Sequence, residues 1–290
     1  MVIKKAYKLF PMLDSVDHVI IAVEDLDEAS KNYEMILGNP PVWNGEHKEL
    51  GTKNTLFNFQ NTYLELLAVG GEGIGAELIK HTIANNGEGL NGIVFGTSDM
   101  NKFRSTMQKN SFNLADASPG EGVNFETEEK RTWVNQFLIP ELSRGLFLFI
   151  IEHTGGKLAK LNKYADSSVH RLDHVVISTN DAEGFIKIYR DIFNIRLALD
   201  KFVEHWQKRM LFFRLNKTTI EVIEDKDQND AIDKLWGLAW NVSDLASCRK
   251  RLIKLGVDAT EIKKGVKEDT LVMTIKSHTH GVPTLFIEHT

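Results

Sequence analysis

Two stretches of this chain are copies of one another: "VDHVIIAVED" at 16–25 and "LDHVVISTND" at 172–181. The register between them runs on without a gap. At a shift of 156 positions His18 falls on His174, Asp25 on Asp181, Tyr33 on Tyr189, Ile36 on Ile192, Phe57 on Phe213 and Glu65 on Glu221 (221 − 65 = 156). A second pair repeats at another spacing. "GIVFGTSDMNKFRSTM" from Gly92 matches "GLAWNVSDLASCRKRL" from Gly237, 145 positions on (237 − 92 = 145). Their shared endings, "FIIEHT" and "LFIEHT", place Glu152 on Glu288, only 136 positions on (288 − 152 = 136). The chain therefore reads as four modules, A, B, A′ and B′, the last with a shortened middle loop.

Each module has one plan. An apolar run of strand length opens it, at 16–23, 93–96, 172–179 and 238–242. A capped helical pattern follows, such as "DLDEASKNYEMILG" closed by Gly38, and then three short β-type runs, in module A near 41–44, 54–59 and 62–69. The expected fold class is α+β, with four β-α-β-β-β modules. The polar segment "TGGKLAKLNKYADSSV" is the natural linker. It divides the chain into an N-terminal extension (1–13), a first domain (14–154), a linker (155–169) and a second domain (170–290).

A net charge of −5 argues against bulk electrostatic binding to nucleic acid or an anionic membrane. The N-terminal residues show no signal-peptide pattern, and no apolar run reaches spanning length. A single cysteine, Cys248, excludes an internal disulfide and a thiolate metal cluster. The expected compartment is the reducing cytoplasm.

Strand alternation puts His18 on one face with Val16 and Ile20, and Glu65 on one face with Tyr63 and Leu67. A carboxylate inside "TYLELLAV" has to be paired, protonated or bound to a cation, because a lone buried charge is costly. Core histidines and structural ion pairs would explain one such strand. Recurrence of the same residue types in both halves favours a built site.

Four such modules, with His in the first strand and Glu in the last, resemble the vicinal oxygen chelate superfamily. That superfamily takes in glyoxalases, antibiotic-resistance proteins and extradiol ring-cleaving dioxygenases. Within it, "EHKELGTKNTLFNFQNTYLELLAV" is similar to the glyoxalase-like domain group, through His47, Gly51-Thr52-Lys53-Asn54 and Tyr63-Leu64-Glu65-Leu66. The resemblance implies paired modules forming two tandem cups, each with a divalent metal (Mn, Fe, Ni or Zn) held by strand residues. Carried over, the first cup offers His18, Glu65 and Glu152 as metal ligands. The second offers His174, Glu221 and Glu288, and ranks behind the first because it lacks the Gly-Thr-x-Asn loop. Gly92 and Gly237 stand where modules B and B′ would supply a first-strand ligand, opening space for substrate or water. His47, or His278 and His280 of "SHTHG", could swing in from loops.

The resemblance further implies a metal-dependent lyase, isomerase or oxygenase acting on a small oxygenated metabolite. Glu65 or Glu152 would be the catalytic proton shuttle, and His47, Thr52, Asn54 and Tyr63 would bind substrate. The alternatives are a metal-free protein that sequesters a small molecule, and an extradiol dioxygenase, which requires a second His. Monomer and homodimer are both compatible with four modules in one chain. "GEGIGA" at 71–76 fits the glycines of a dinucleotide-binding turn, but Glu72 would oppose a pyrophosphate, and it reads as a flexible connector. Trp133, Trp206 and Trp240 suit core packing and cup lining equally.

Overall fold

A computed structural model describes residues 12–204, 206–228 and 233–290. In chain order the first half contains β1 (Ser15–Ala22), α1 (Leu26–Leu37), β2 (Trp43–His47), β3 (Thr52–Asn58), β4 (Tyr63–Val69) and α2 (Ile74–Asn86). It continues with β5 (Gly89–Gly96), α3 (Met100–Lys109), β6 (Ser118–Asn124), β7 (Lys130–Phe137), α4 (Pro140–Ser143) and β8 (Phe147–Gly155). The second half contains β9 (Val169–Thr179), α5 (Ala182–Ile186, running on as a π-helical turn), β10 (Arg196–Val203), β11 (Lys208–Leu215) and β12 (Thr218–Glu224). It ends with β13 (Lys234–Val242), α6 (Leu245–Lys254), β14 (Lys263–Lys264), β15 (Thr270–Ile275) and β16 (Thr284–His289). The fold is α+β, with two eight-stranded sheets.

The first sheet closes into a barrel in the order β1-β4-β3-β2-β6-β7-β8-β5, and the second stays open as β10-β11-β12-β9-β13-β16-β15-β14. Closure of the first depends on β2 meeting β6, through Gly45–Asn124 and Glu46–Val123. The matching strands of the second, β10 and β14, are its two edges, and β14 is only two residues long. The nine positions by which the last repeat is shortened (145 − 136 = 9) are those that would have lengthened this hairpin. Loop shortening in module B′ thus explains why one cup is closed and the other is not.

Helix α1 shows how the local sequence sets an element. Asp25 accepts from the N–H groups of Asp27 and Glu28, both at 3.0 Å, and Gly38 ends the helix in the left-handed region at φ 72°. Leu26, Ala29, Tyr33, Ile36 and Leu37 form its buried face. These join one continuous core made by the helix-side faces of both sheets, including Phe95, Phe185, Tyr189 and Phe286. Trp240 is wholly buried there, with its ring 4.8 Å from that of Phe59 in the other half, whereas Trp206 is exposed. Cys248 is also buried in this core, and burial pushes its thiol up to about 11.

The halves are joined by polar clamps as well as by the core. The Arg251 guanidinium of α6 donates to the carbonyls of Met35 and Ile36, at the C-terminal end of α1, and to that of Ser167. His280 of the "SHTHG" loop lies against Glu88, with Nδ1 2.7 Å from Oε2, and Tyr33 donates to the Thr279 carbonyl at 3.0 Å. The "GEGIGA" segment is tied down rather than flexible. Gly70 and Gly71 both donate to the Gly51 carbonyl at 2.9 Å, and a side chain at Gly51 (φ 68°) would strike the Glu72 backbone. Its glycines serve close packing of two turns, and α2 follows. Ile79 and Ile83 of α2 press on the inward residues Ile20, Ala22 and Leu67, so that one end of the barrel is stoppered by hydrocarbon. No helix among the described residues is long and apolar enough to cross a membrane.

Because a guanidinium bonded to helix-end carbonyls contributes through charge-assisted hydrogen bonds, Arg251→Ala is expected to cost about 2 kcal/mol. Urea denaturation of the variant beside wild type measures it, and a loss below about 0.5 kcal/mol, the usual range for an exposed position, would show that the clamp contributes little.

Candidate functional site

His18 is brought into the barrel by an irregularity in β1. Against β5, Val16 pairs with Phe95 and His18 with Val94, so Asp17 is an extra residue. Val16 therefore joins the helix-side core, and His18 faces inward with Ile20 and Ala22. Simple alternation had put Val16 on the inner face. On the neighbouring strand Tyr63, Glu65 and Leu67 face inward as expected.

His18 and Glu65 are 2% and 6% exposed, and His18 Nε2 lies 3.4 Å from Glu65 Oε2. Each has a partner behind it. His18 Nδ1 lies 2.7 Å from Asp17 Oδ1, and the amide of Asn54 donates to Glu65 Oε1 at 2.7 Å. Tyr63 stacks on the His18 ring at 4.4 Å. His47 is next in line: its Nδ1 is 2.9 Å from Thr52 Oγ1 and its Nε2 is 3.3 Å from Asn54 Nδ2. At the other end His153 Nε2 is 3.1 Å from Asp17 Oδ2. The result is a bonded series from Thr52 through His47, Asn54, Glu65, His18 and Asp17 to His153. Within it the Asn54 side-chain oxygen is buried and has no partner.

The electrostatics follow from these bonds. Burial alone would favour neutral forms, but the His18 and Asn54 bonds and the nearby imidazoles bring the Glu65 carboxyl down to about 2. Burial likewise opposes the charge on His18, yet bonds to Asp17 and Glu65 raise its pKa above the ordinary value. Asp17, though buried, is held well below the usual carboxylate range by His153 and His18. His47 is lowered, first by burial, the opposite of His18.

Glu152 is not brought to this pair. In β8, Phe149 and Ile151 face inward while Leu148 and Ile150 face the helices, and Glu152 follows the outward set. Its Oε2 accepts from the Met100 N–H at 2.9 Å, closing the first turn of α3. Glu288 does the same for α6, accepting from Leu245 N–H at 2.7 Å. The residue of "IEHT" that reaches the site is the histidine, His153 or His289. Asp17, His153 and their counterparts were missed, although both stand in the repeats and alternation from Phe149 would have placed His153 inward. Gly92 opens no space, since a side chain there would meet Phe147 at 2.9 Å and Ile20 at 3.1 Å. Gly237 would strike the Pro283 carbonyl at 2.6 Å. His280 is held by Glu88, and His278 Nδ1 lies 2.7 Å from Ser277 Oγ, so neither belongs to the cup.

The second cup repeats the arrangement more loosely. His174 Nδ1 lies 3.0 Å from Asp173, Nε2 3.6 Å from Glu221, and His289 Nε2 2.7 Å from Asp173. Met210 occupies the place of Asn54 (210 − 54 = 156), so Glu221 has no amide donor. Burial accordingly raises the Glu221 pKa, opposite to Glu65.

His18 Nε2 and Glu65 Oε2 have the spacing of neighbouring ligands on a divalent ion, and Asp17 backs the imidazole as a carboxylate behind a metal-bound histidine does. The rest of the ligand set is missing. His18 is paired across the sheet with Val94, which is itself beside Phe149. Among the described residues no group of three His, Cys, Asp or Glu is placed to hold a metal ion. The residues present do not fit the three-donor site that the resemblance implies.

A family model described as a glyoxalase-like domain matches residues 16–193. The chain belongs to the glyoxalase-like domain family. A second model, for the glyoxalase/bleomycin resistance protein/dioxygenase superfamily, matches residues 173–274 of this glyoxalase-like protein. Among solved structures it is similar to a Mn(II)-bound glyoxalase from Novosphingobium aromaticivorans, at 15% identity over 97% of this chain and 83% of that one, TM-score 0.65. A variant of 4-hydroxymandelate synthase from Streptomyces coelicolor is similar at 14% identity over 96% and 93%, TM-score 0.64. A hypothetical protein from Staphylococcus aureus matches at 14% identity over 93% and 97%, TM-score 0.63. At these identities the likeness is one of fold, that of tandem vicinal-oxygen-chelate domains. No curated protein matches the chain in sequence.

The pair sets a pH window. Glu65, folded near 2 against an ordinary 4.5, contributes stability that is present above pH 4.5 and lost as pH falls toward 2. His18, raised above 6.5, contributes stability that is present below 6.5 and lost as pH rises through its folded value. In Glu65→Gln the His18 titration midpoint, followed by NMR, is expected to fall, and an unmoved midpoint would refute the coupling. Glu152→Ala should cost about 1 kcal/mol as a lost helix cap and leave that midpoint in place, read by the same titration and by urea denaturation.

Proposed function

We propose that the first cup is an enzyme active site that moves a proton at a carbon beside a carbonyl of a small oxygenated metabolite. The observation that supports this reading is the buried His18–Glu65 pair, backed on both sides by Asp17 and Asn54. As it stands, Glu65 is too acidic to act as a base. A substrate oxygen entering between the two would take the His18 N–H for itself. Burial, no longer opposed by that bond, would then raise Glu65 toward the range in which it accepts a proton. His18, positively charged and held by Asp17, would stabilise the oxyanion that forms as the C–H proton moves to Glu65. Asn54 and His47 would position the substrate, with the unpartnered Asn54 oxygen open to a substrate hydroxyl. The partner in this reading is a small molecule, not nucleic acid or a membrane.

Proton NMR in D₂O with pyruvate, hydroxyacetone and glycolaldehyde tests it. Wild type is expected to speed exchange of a C–H next to the carbonyl, and Glu65→Gln or His18→Ala to slow it about 100-fold. No acceleration with any of the three would sink the reading in favour of ligand sequestration.

A divalent ion is the second reading, favoured by the ligand-like spacing of His18 and Glu65 and by the metal in the glyoxalase neighbour. Dialysis against Mn²⁺ followed by elemental analysis decides it. One ion per chain in wild type and none in His18→Ala would establish the metal; equal loading of both would reject it.

A further inference from the structure

Arg131 stands on β7, where it and Trp133 are the buried, inward residues of the strand's first half. It is 7% exposed, with its guanidinium carbon 5.3 Å from the centre of the Tyr63 ring and 5.7 Å from that of Trp43. Among the described residues no carboxylate pairs with it. Three other arginines have acceptors of their own. Arg144 has Asp233 and Asp181, Arg209 has Asp200 and Glu183, and Arg251 has three backbone carbonyls.

A guanidinium carries five N–H donors in one plane, and aromatic faces satisfy its charge only from above and below. The Tyr63 hydroxyl bonds to the Arg131 side chain, and no Arg131 nitrogen is buried without a partner; with no carboxylate beside it, the rest of the fork matches the two oxygens of a carboxylate brought by a ligand. The position is informative too. Tyr63 lies under Arg131 and also stacks on His18 at 4.4 Å, so the guanidinium is one ring away from the reacting pair. The opposite end of the barrel, stoppered by α2, is hydrocarbon.

We propose that Arg131 is the anchor for a substrate carboxylate, so that the first cup takes small 2-hydroxy or 2-oxo acids. Arg131 would grip the acid group between Trp43 and Tyr63, with the adjoining oxygenated carbon turned toward His18 and Glu65. The proposal rests on the reading of the first cup as the substrate site, and it adds the class of substrate.

Trp43 lies against the guanidinium, so tryptophan fluorescence of the full-length protein reports binding. Lactate, pyruvate and glycolate are each titrated beside the neutral amide of the same acid. At least one acid is expected to bind about tenfold or more tightly than its amide, the fold-change of one lost charge-assisted bond pair. That preference should vanish in Arg131→Gln and return in part in Arg131→Lys. The Arg131 Nε–H resonance of the wild type, followed by NMR, should shift on adding acid and not on adding amide, which keeps the test open should Arg131→Gln fail to fold. An acid preference that persists in Arg131→Gln, no acid binding at all, or an unshifted Nε–H resonance would overturn the proposal. Because these readouts measure binding alone, Arg131-dependent binding without proton exchange would sink the catalytic reading and leave the anchor standing. Exchange without acid preference would do the reverse.

Discussion

A histidine and a glutamate buried side by side inside a closed barrel need each other. Either alone would be an uncompensated charge in a low-dielectric interior, and the barrel would favour its neutral form. Together they hold one proton between Nε2 and Oε2, and the surrounding strands are arranged so that each has a second partner. The extra residue in β1 places Asp17 at the back of the imidazole. The Gly51 turn lets β3 run so that Asn54 meets the carboxylate. Loss of any of these bonds shifts the charge balance of the whole series, which is why it is best regarded as one group of seven residues.

Comparison of the two cups shows what the partners contribute. Both keep the Asp-His-Glu core at similar distances, and both use the histidine of their closing "EHT". The second lacks the amide, having Met210 where the first has Asn54, and its carboxyl is raised where the first is lowered. It also lacks the β2–β6 seam, so its sheet stays open and its His174 is less buried. The two halves share one framework of modules, and the amide at Asn54 and the β2–β6 seam are among the features that distinguish the first.

Much of this was legible in the sequence. The 156-residue register exposed the His18–Glu65 pair and its copy, because identical residue types recurred at strand positions. The loop "HKELGTKN" drew attention to His47, Thr52 and Asn54, which the fold does join to Glu65. Three features were not legible. A bulge leaves no mark in an apolar strand, so Asp17 read as a flank of the strand rather than as a partner. Glu152 and His153 are adjacent, and chemical type favoured the glutamate where pleat geometry favoured the histidine. Arg131 sits in the polar hairpin strand "KRTWVNQF", where nothing in its neighbours distinguishes an inward arginine from a solvated one. In each case the deciding fact was which way a side chain points, a property that a single-residue shift in register reverses.

The α2 stopper has a bearing on kinetics. With Ile79 and Ile83 packed on Ile20, Ala22 and Leu67, that end of the first barrel is closed with hydrocarbon. If the first cup is the substrate site proposed above, substrate and product share the remaining end and pass one at a time.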